Sequence, residues 1–292
     1  MAAFNRLVSL GSALVDLQMF VPALPKSGGD ILATDSLIAI GGSFNTESAA
    51  SRMGMKVIHT GSLGDGAYSE LLRSVLREEG IEFAGKVIEN SDLGICVTLV
   101  EPDGERSFVT RNGAESIRSL EGLQKLKLGP TDAVYLAGYD LVYPQSREVY
   151  KEWLFSNPLN GAALFFDPTP LVADIDEEVL ALLRKISFAI TANEAETEYL
   201  GLNATDQPWF IRRIGAEGCE LYEQGQLKGA FEAEKVDVVD TTGAGDVHTG
   251  ALIAALAEGL SMPLALQRAN RAAAFSITQR GGASGPKPAN LN

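Results

Sequence analysis

The chain has 292 residues, of which 46% are hydrophobic and 21% are charged, and its formal net charge is −14. This composition is typical of a globular protein and argues against wholesale disorder, and the length suits one large α/β domain. An acidic surface repels phosphate backbones and anionic lipid, so we expect neither nucleic acid nor a membrane as a partner. A small anionic ligand is still compatible, because backbone N–H groups supply local positive potential without lysine.

The N-terminal segment and the cysteines indicate a cytoplasmic protein. The opening run MAAFNRLVSLGSALVDL predicts a strand rather than a signal peptide, because no small-residue cleavage site follows an apolar core. The apolar run at 251–257 is too short to span a bilayer. Cys96 and Cys219 lie far apart without ligand-like spacing, which favours two free thiols over a disulfide or a metal site.

Short apolar strands alternate with helices along most of the chain. The predicted strands are 6–11, 56–60, 133–137, 162–166 and 188–191, and the predicted helices are 45–53, 67–79, 146–155 and 177–184. This alternation is typical of βαβ units. It predicts an α/β fold in which a large, mostly parallel sheet has helices on both faces.

Two segments, about 14–40 and 86–110, break the alternation and have few helical signals. The second contains strand-like runs at 93–100 and 106–110 around a Pro-Asp-Gly turn, which predicts a β-hairpin. We interpret both segments as a small β-sheet lid within a single domain that spans residues 1–292. A lid beside a ligand crevice would exclude water from the reaction. The alternative is that they are edge strands of the main sheet.

The segment from Asp240 to Asp246, DTTGAGD, carries the strongest chemical signal. Its glycines leave the backbone bare, and an apolar helix is predicted from about Asp246 to Gly259. Such a loop aims N–H groups and the positive end of the helix dipole at one spot, which is what phosphoryl transfer requires. A carboxylate at that spot can accept the proton of an attacking hydroxyl. The alternative is a tight turn with Asp246 as a simple N-cap.

Two further patterns accompany this motif. An alanine-rich ANRAAA run at 269–274 leads to TQRGGA at 278–283, and an N-terminal Gly-Gly pair precedes Asn45 on a predicted helix that ends at Gly54. Together these motifs resemble the signature of the ribokinase-like, PfkB-type carbohydrate kinases, over essentially the whole chain. The gap between the glycine pair and Asn45 is one residue shorter than in most members.

The resemblance implies a ribokinase-like fold and an ATP-dependent phosphotransferase acting on a hydroxyl of a sugar or sugar-like molecule. The implied catalytic residues are Asp246 as general base and Gly243, Ala244 and Gly245 as anion hole. The implied substrate-binding residues are Asp16, Gly41, Gly42, Asn45 and Asp246. The implied ATP-binding residues are Asn193, Gly215, Gly218, Asn270, Gly282 and Ala283. Mg²⁺ would be organised through water by Asn193 and Glu196, and K⁺ would lie beside Asp240, Thr242 and the backbone carbonyls of 280–284.

Several positions depart from the family pattern. Arg213 precedes the Gly215 loop, where it either pairs with a nucleotide phosphate or is solvated. The connection between Gly201 and Ile211 is short, and the helix often found there is absent from the prediction. The element at 167–171, DPTPL, lacks the asparagine and arginine common in the family.

For three more side chains, the sequence leaves both a functional role and a purely structural role open. His248 either lines the substrate pocket or packs in the core. Arg106 and Arg111 of the predicted hairpin either reach the substrate, or a phosphate on it, or lie on a solvated strand face.

Other functions are compatible with parts of the pattern. A nucleoside kinase of the same fold would need an aromatic ring to stack on the base, and Phe20 or Phe44 are candidates. A non-catalytic sugar or nucleotide sensor would have no need of Asp246. A Rossmann dehydrogenase is disfavoured, because no G-x-G-x-x-G follows the first strand. Exposed edges of the predicted lid make a homodimer through the lid plausible.

Overall fold

The computed structural model describes residues 4–202 and 209–291. Its strands are β1 Arg6–Ser9, β2 Ala13–Phe20, β3 Asp35–Gly42, β4 Val57–His59, β5 Glu82–Phe83, β6 Ile95–Val100, β7 Arg106–Arg111, β8 Asp132–Ala137, β9 Ala163–Asp167, β10 Ser187–Ala192, β11 Trp209–Arg213, β12 Cys219–Glu223 and β13 Gln226–Phe231. Its α-helices are α1 Ser43–Arg52, α2 Ala67–Glu78, α3 Leu120–Gln124, α4 Arg147–Phe155, α5 Glu177–Ile186, α6 Glu194–Leu200, α7 Ala244–Ala257 and α8 Met262–Ser276. The predicted helix-free connection at 203–208 lies outside the described residues.

No helix in the described part of the chain is long and apolar enough to cross a bilayer.

One large sheet organises the molecule. Its nine strands follow the order β13-β12-β11-β10-β9-β8-β1-β4-β5. Neighbours from β11 to β5 pair in parallel, and β12 and β13 extend the sheet as an antiparallel edge. The predicted large, mostly parallel sheet is therefore confirmed.

Helices cover both faces of this sheet, as predicted. The alternation along β8 shows why: Tyr135 packs into a core shared with α1, α7 and α8, whereas Val134 and Leu136 pack into a second core shared with α4 and α5. Because every side chain of β8 is buried, its sequence is a continuous apolar run after Asp132.

A separate small sheet has the strand order β3-β2-β6-β7. Strands β6 and β7 pair as the antiparallel hairpin that the sequence predicts. In the register of the sheet, Asp16, Cys96 and Thr110 are neighbours, and Arg106 lies opposite Val100. Because side chains alternate across a strand, residues 106, 108 and 110 of β7 share one face of the sheet. Arg106 contacts Asp240, so this face is turned toward the loop that precedes α7, at the edge of the large sheet.

Two helices begin earlier than the sequence predicts. Helix α1 begins at Ser43, directly after β3, because Gly42 has a φ of 67° and turns the chain from strand into helix without a linker. Helix α7 begins at Ala244, with Gly243 in the left-handed region as its N-cap. Asp246 is therefore a first-turn residue and not the N-cap, which excludes the simple capping alternative.

Polar side chains collect where the parallel strands end. Ser12 follows β1, Asp140 follows β8, Asp167 ends β9 and Asn193 follows β10. The carboxyl ends of parallel strands meet at one edge of the sheet, where α/β proteins bind ligands. This edge is the location of the candidate site.

Candidate active site

The loop at 240–245 forms a bare backbone turn at the N-terminus of α7. Gly243 has a φ of 71°, and a Cβ at this position would lie 2.5 Å from the carbonyl oxygen of Gly282. Only glycine fits such a position without strain. The first amides of α7, including those of Gly245 and Asp246, have no partner within the helix. This turn therefore presents free donors and a positive dipole end at the edge of the large sheet.

The Asp246 carboxylate lies beside this turn and is held by α1. Asn45 Nδ2 donates a 3.0 Å hydrogen bond to Asp246 Oδ2. Burial, together with the nearby Asp167 carboxylate, raises the pKa of Asp246 to about 7, while the Asn45 bond and Arg213 act in the opposite direction. A carboxyl group with this pKa exchanges a proton readily near neutral pH.

The Gly-Gly pair and Asp16 meet at the junction of β3 and α1. A Cβ on Gly41 would overlap the Asp16 carboxylate, so the glycine allows the acid to lie flat against the backbone. Burial raises the pKa of Asp16 to about 6. Gly282 adjoins Asn45, since a Cβ on Gly282 would lie 2.7 Å from Asn45 Nδ2. The structure thus brings the predicted substrate-binding residues together around Asp246, and the shortened gap before Asn45 is absorbed by direct entry of β3 into α1.

Asp140 belongs to the same region, and the sequence analysis did not select it. It is buried, its Oδ2 accepts a 3.2 Å hydrogen bond from the Ser12 amide, and its Oδ1 has no partner within the described residues. Burial raises the pKa of Asp140 to about 6. The Ser43 hydroxyl is also buried and unpartnered among the described residues. The signal that could have found Asp140 is its position just after a predicted buried strand, where site residues of parallel sheets collect.

Arg213 is the centre of a buried ionic cluster. Its Nη1 donates to Asp167 Oδ2 at 2.8 Å and to the Gly245 carbonyl at 3.1 Å, and its Nη2 lies 3.5 Å from Glu196 Oε2. It is therefore neither solvated nor presented to a ligand as an unpaired cation. Asp167, which the altered 167–171 element retains, anchors the guanidinium group. By holding the Gly245 carbonyl, Arg213 fixes the first turn of α7.

Asn193 and Glu196 form a complete capping box at the start of α6. Asn193 Oδ1 accepts from the Glu196 amide at 2.9 Å, and Glu196 Oε2 accepts from the Asn193 amide at 2.8 Å. Burial, reinforced by Asp167, raises the pKa of Glu196. The box orients the Glu196 carboxylate rigidly toward the cluster around Arg213.

The predicted nucleotide residues divide into two groups. Gly218 and Asn270 lie together at the end of β13: a Cβ on Gly218 would overlap the Phe231 carbonyl, and Asn270 Nδ2 donates to the same oxygen at 2.7 Å. Gly215, with a φ of 58°, has open space around its Cα. Gly282 and the neighbouring Ala283 lie instead beside the α7 turn and α1.

Asp240 ties the α7 turn to the segment around Gly281 and to the small sheet. Its Oδ1 accepts from Arg106 Nη2 at 2.8 Å and from the Thr242 hydroxyl at 2.7 Å, and its Oδ2 accepts from the Gly281 amide at 3.0 Å. Burial opposes ionisation, but these hydrogen bonds and the Arg106 charge outweigh it and lower the pKa of Asp240. Of the alternatives for Arg106, the structure supports a third, a protein carboxylate partner.

Two further predictions concern ring side chains. His248 is buried in α7 with both ring nitrogens unpartnered among the described residues, and burial lowers its pKa to about 3. It therefore packs in the core. Phe44 is also in the core, and the Arg280 guanidinium lies 5.3 Å from the centroid of the Phe20 ring. Phe44 therefore has no open face for a base, whereas Phe20 is partly exposed and stacks on Arg280.

Two solved structures share this arrangement of a large and a small sheet. Ribokinase from Thermotoga maritima superposes with a TM-score of 0.82 at 24% identity, covering 99% of this chain and 98% of that one. The nucleoside kinase of Methanocaldococcus jannaschii superposes with a TM-score of 0.85 at 16% identity, covering 100% and 98%. At these identities the likeness defines the fold, which is that of the ribokinase class.

Sequence comparison specifies the family within this class. The family model described as "pfkB family carbohydrate kinase" matches residues 5–290. The uncharacterised sugar kinase YegV of Escherichia coli is 31% identical over 295 residues, covering 95% of this chain and 90% of that protein. Ribokinase of Haemophilus influenzae is 26% identical over 304 residues, covering 95% and 94%. The chain belongs to the pfkB family of carbohydrate kinases and is a kinase, as the sequence motifs predict.

Proposed function

We propose that the protein transfers the γ-phosphoryl group of ATP to a hydroxyl of an uncharged sugar or sugar-like molecule, with Asp246 as general base. One observation carries this proposal: a carboxylate whose pKa is raised to about 7 lies in the first turn of α7, held by Asn45, beside the bare Gly243–Gly245 backbone. The base and the anion-binding donors are thus adjacent, which an in-line transfer needs.

In the proposed step, the γ-phosphoryl group moves from ATP to the acceptor hydroxyl. Asp246 takes the proton of the acceptor hydroxyl as the hydroxyl oxygen forms a bond to the γ-phosphorus. The bond from that phosphorus to the β,γ-bridging oxygen breaks, and ADP leaves. Amides of Gly243, Ala244 and Gly245 stabilise the negative charge on the moving phosphoryl group. Arg213 supports this loop through the Gly245 carbonyl instead of contacting phosphate.

The acceptor end of the site favours a neutral polyol. Two carboxyl groups, those of Asp16 and Asp246, line this end, and burial raises the pKa of each. Carboxylates accept hydrogen bonds from hydroxyl groups but repel a second anion. Arg106 and Arg213 are already paired with protein carboxylates. Sugar acids and sugar phosphates would therefore meet repulsion from Asp16 and Asp246, which these two arginines are not free to offset.

A nucleoside acceptor is the second candidate, and Phe108 is the observation that favours it. Its side chain is 62% exposed and shares with Arg106 the face of β7 that is turned toward the loop that precedes α7. An exposed ring on this face can stack on a base. The structural neighbours include a nucleoside kinase from Burkholderia thailandensis in complex with inosine.

We propose that Gly215 and Asn270 serve the ATP site and that Glu196 serves the Mg²⁺ site. Gly215, with a positive φ and open space, suits close approach of an adenosine group, and Asn270 holds the adjacent end of β13 in place. Both oxygens of Glu196 already accept hydrogen bonds from Asn193, so Glu196 suits contact with Mg²⁺-bound water better than direct ligation. When bound, Mg²⁺ would supply charge neutralisation of the phosphates.

The small sheet supports two further proposals. Through Arg106 it contacts the loop that precedes α7, which suits a lid that excludes water from the transfer.

The other face of the small sheet, by strand alternation, carries Ile38 and Val109, which are 57% and 68% exposed. We propose that this face pairs with a second copy of the chain. Light scattering should show a dimer, and Val109→Lys should shift it to a monomer with activity measured in parallel.

The experiment that tests the function is acceptor-dependent ADP release with Mg-ATP, across pentoses, hexoses, sugar acids, sugar phosphates and nucleosides. We expect turnover with a neutral sugar, or with a nucleoside if Phe108 stacks on a base. Turnover only with a sugar acid or sugar phosphate would refute the neutral acceptor. Silence across the panel, with ATP binding shown by calorimetry, would favour a sensor.

A further inference from the structure

Two of the oxygens at which the family resemblance places K⁺, Asp240 Oδ1 and the Ala283 carbonyl, accept hydrogen bonds from arginine side chains. Asp240 Oδ1 accepts three hydrogen bonds, from Arg106 Nη2 at 2.8 Å, from the Thr242 amide at 2.9 Å and from the Thr242 hydroxyl at 2.7 Å. Its Oδ2 accepts a fourth, from the Gly281 amide at 3.0 Å. A cation on Oδ1 would have to displace the guanidinium group or lie next to a like charge.

In the second segment, at 280–284, and at the adjoining Gly285, an arginine also binds backbone carbonyls. Arg52 Nη1, at the end of α1, donates to the carbonyl of Ala283 at 2.8 Å and to that of Gly285 at 2.9 Å. The same guanidinium group pairs with Glu79, with Nε 3.0 Å from Oε2, so it is held in place independently of the carbonyls. Two arginines from separate elements thus bind one implied K⁺ ligand oxygen in each segment, Asp240 Oδ1 and the Ala283 carbonyl.

We propose that the guanidinium groups of Arg106 and Arg52 replace the monovalent cation in this protein, which makes its activity independent of K⁺. The proposal rests on the proposed kinase function, because its consequence concerns the anion hole. Gly281 is hydrogen-bonded to Asp240, and the next residue, Gly282, packs against Gly243. Arg106 therefore supplies positive charge and rigidity behind the anion hole, as a bound cation would.

Arginine is suited to this substitution. A guanidinium group carries a delocalised positive charge, and its planar array of five donors can bind several oxygens at once. Because Arg106 belongs to the small sheet, the charge reaches Asp240 only when that sheet lies over the large one. Arg106 is a positioning residue in this account, since it acts through Asp240 and not on the substrate.

The first test compares activity in KCl and in tetramethylammonium chloride at equal ionic strength, using an acceptor found in the panel. The wild type should be equally active in both salts. Arg106→Gln should lose activity in tetramethylammonium and regain it in K⁺, with a stimulation of about tenfold. Arg111→Gln, on the same strand but the opposite face, should behave like the wild type. A wild type that K⁺ stimulates tenfold would overturn the proposal.

The second test needs no acceptor, so it stays informative if the proposed function fails. Thermal unfolding is measured in KCl and in tetramethylammonium chloride, without ATP or acceptor, so that K⁺ is the only ligand tested. The wild type and Arg111→Gln should unfold at the same temperature in both, whereas Arg106→Gln should gain a K⁺-specific rise in midpoint. If Arg106→Gln is folded and shows no preference for K⁺ in either assay, Arg106 is only a link between the sheets and the inference is wrong.

Discussion

The Asn45 amide donates a 3.0 Å hydrogen bond to the Asp246 carboxylate, across a separation of 201 residues. Each residue lies in the first turn of its helix, α1 for Asn45 and α7 for Asp246. The two helices approach closely because Gly250 has no side chain; a Cβ there would lie 2.9 Å from Ala49 Cβ. Packing of α1 on α7 therefore aims the proposed base.

Replacing Asp246 by Asn should remove the base while keeping the size of the side chain. We expect a fall in kcat of about 10²–10⁴-fold or more, with ATP affinity largely unchanged, because the Gly243–Gly245 amides remain. ADP release and calorimetric nucleotide titration measure the two quantities. An equal loss of binding and turnover would instead make Asp246 a structural residue.

The wild-type activity should fall as the pH drops below about 7, since Asp246 acts as a base only when ionised and its pKa is raised to about 7 by burial. The expected profile of kcat/KM is flat above this value and falls in inverse proportion to the proton concentration below it, about tenfold per pH unit. An acid limb near pH 4, the range of an ordinary aspartate, would show that Asp246 is not the titrating group.

Replacing Asn45 by Ala should raise the acceptor KM far more than the ATP KM. It should also move the acid limb to higher pH, because the lost hydrogen bond favours the ionised form of Asp246. Steady-state kinetics from pH 5 to 9 would measure both effects. A larger change in the ATP KM would mean that the acceptor and nucleotide sites have been exchanged.

Gly243→Ala and Gly259→Ala form a matched pair at the two ends of α7. Both glycines have positive φ, 71° and 88°, so each alanine should cost about 1–2 kcal/mol of unfolding free energy. Only at Gly243 would the new Cβ meet a neighbour, the Gly282 carbonyl at 2.5 Å, whereas nothing lies within 4 Å at Gly259.

Denaturant unfolding and ADP release should therefore separate the two variants. Gly259→Ala should lose stability and keep activity, and Gly243→Ala should lose both. Full activity in Gly243→Ala would argue against an anion hole formed by this loop.

His248 should make the protein sensitive to acid. Burial lowers its pKa from 6.5 to about 3, so between these values the unfolded chain binds a proton that the folded protein does not. Stability conferred by neutral His248 is then lost as the pH falls below about 6.5, with a slope approaching 1.4 kcal/mol per pH unit.

The His248→Leu variant isolates this contribution, because the carboxyl groups of the protein titrate in the same way in the wild type and in the variant. The difference in unfolding free energy between wild type and variant, measured from pH 4 to 8, should shift in favour of the variant on acidification. A difference that does not change with pH would contradict a buried, neutral histidine.

Features with local signals were predictable from the sequence. The alternation of strands and helices follows from periodicity, and the prediction of a large parallel sheet with a smaller second sheet is confirmed. The Gly243–Asp246 turn was recognisable because its glycines and the following apolar helix are adjacent in the chain. The starts of α1 and α7 were misplaced by about two residues, because helix starts after Gly42 and Gly243 depend on backbone angles that sequence patterns define poorly.

Tertiary structure decided which charges are available to a ligand. Arg213 and Arg106 could have met phosphate or solvent as far as the sequence indicated, but folding pairs them with Asp167 and Asp240, 46 and 134 residues away. Asp140 likewise meets the Ser12 amide only because β8 lies beside β1. Local patterns determined the helices, the strands and the Gly243–Asp246 turn, because their causes act within a few residues. The pairing of buried charges depends on contacts between distant segments, and only the packed fold determines those.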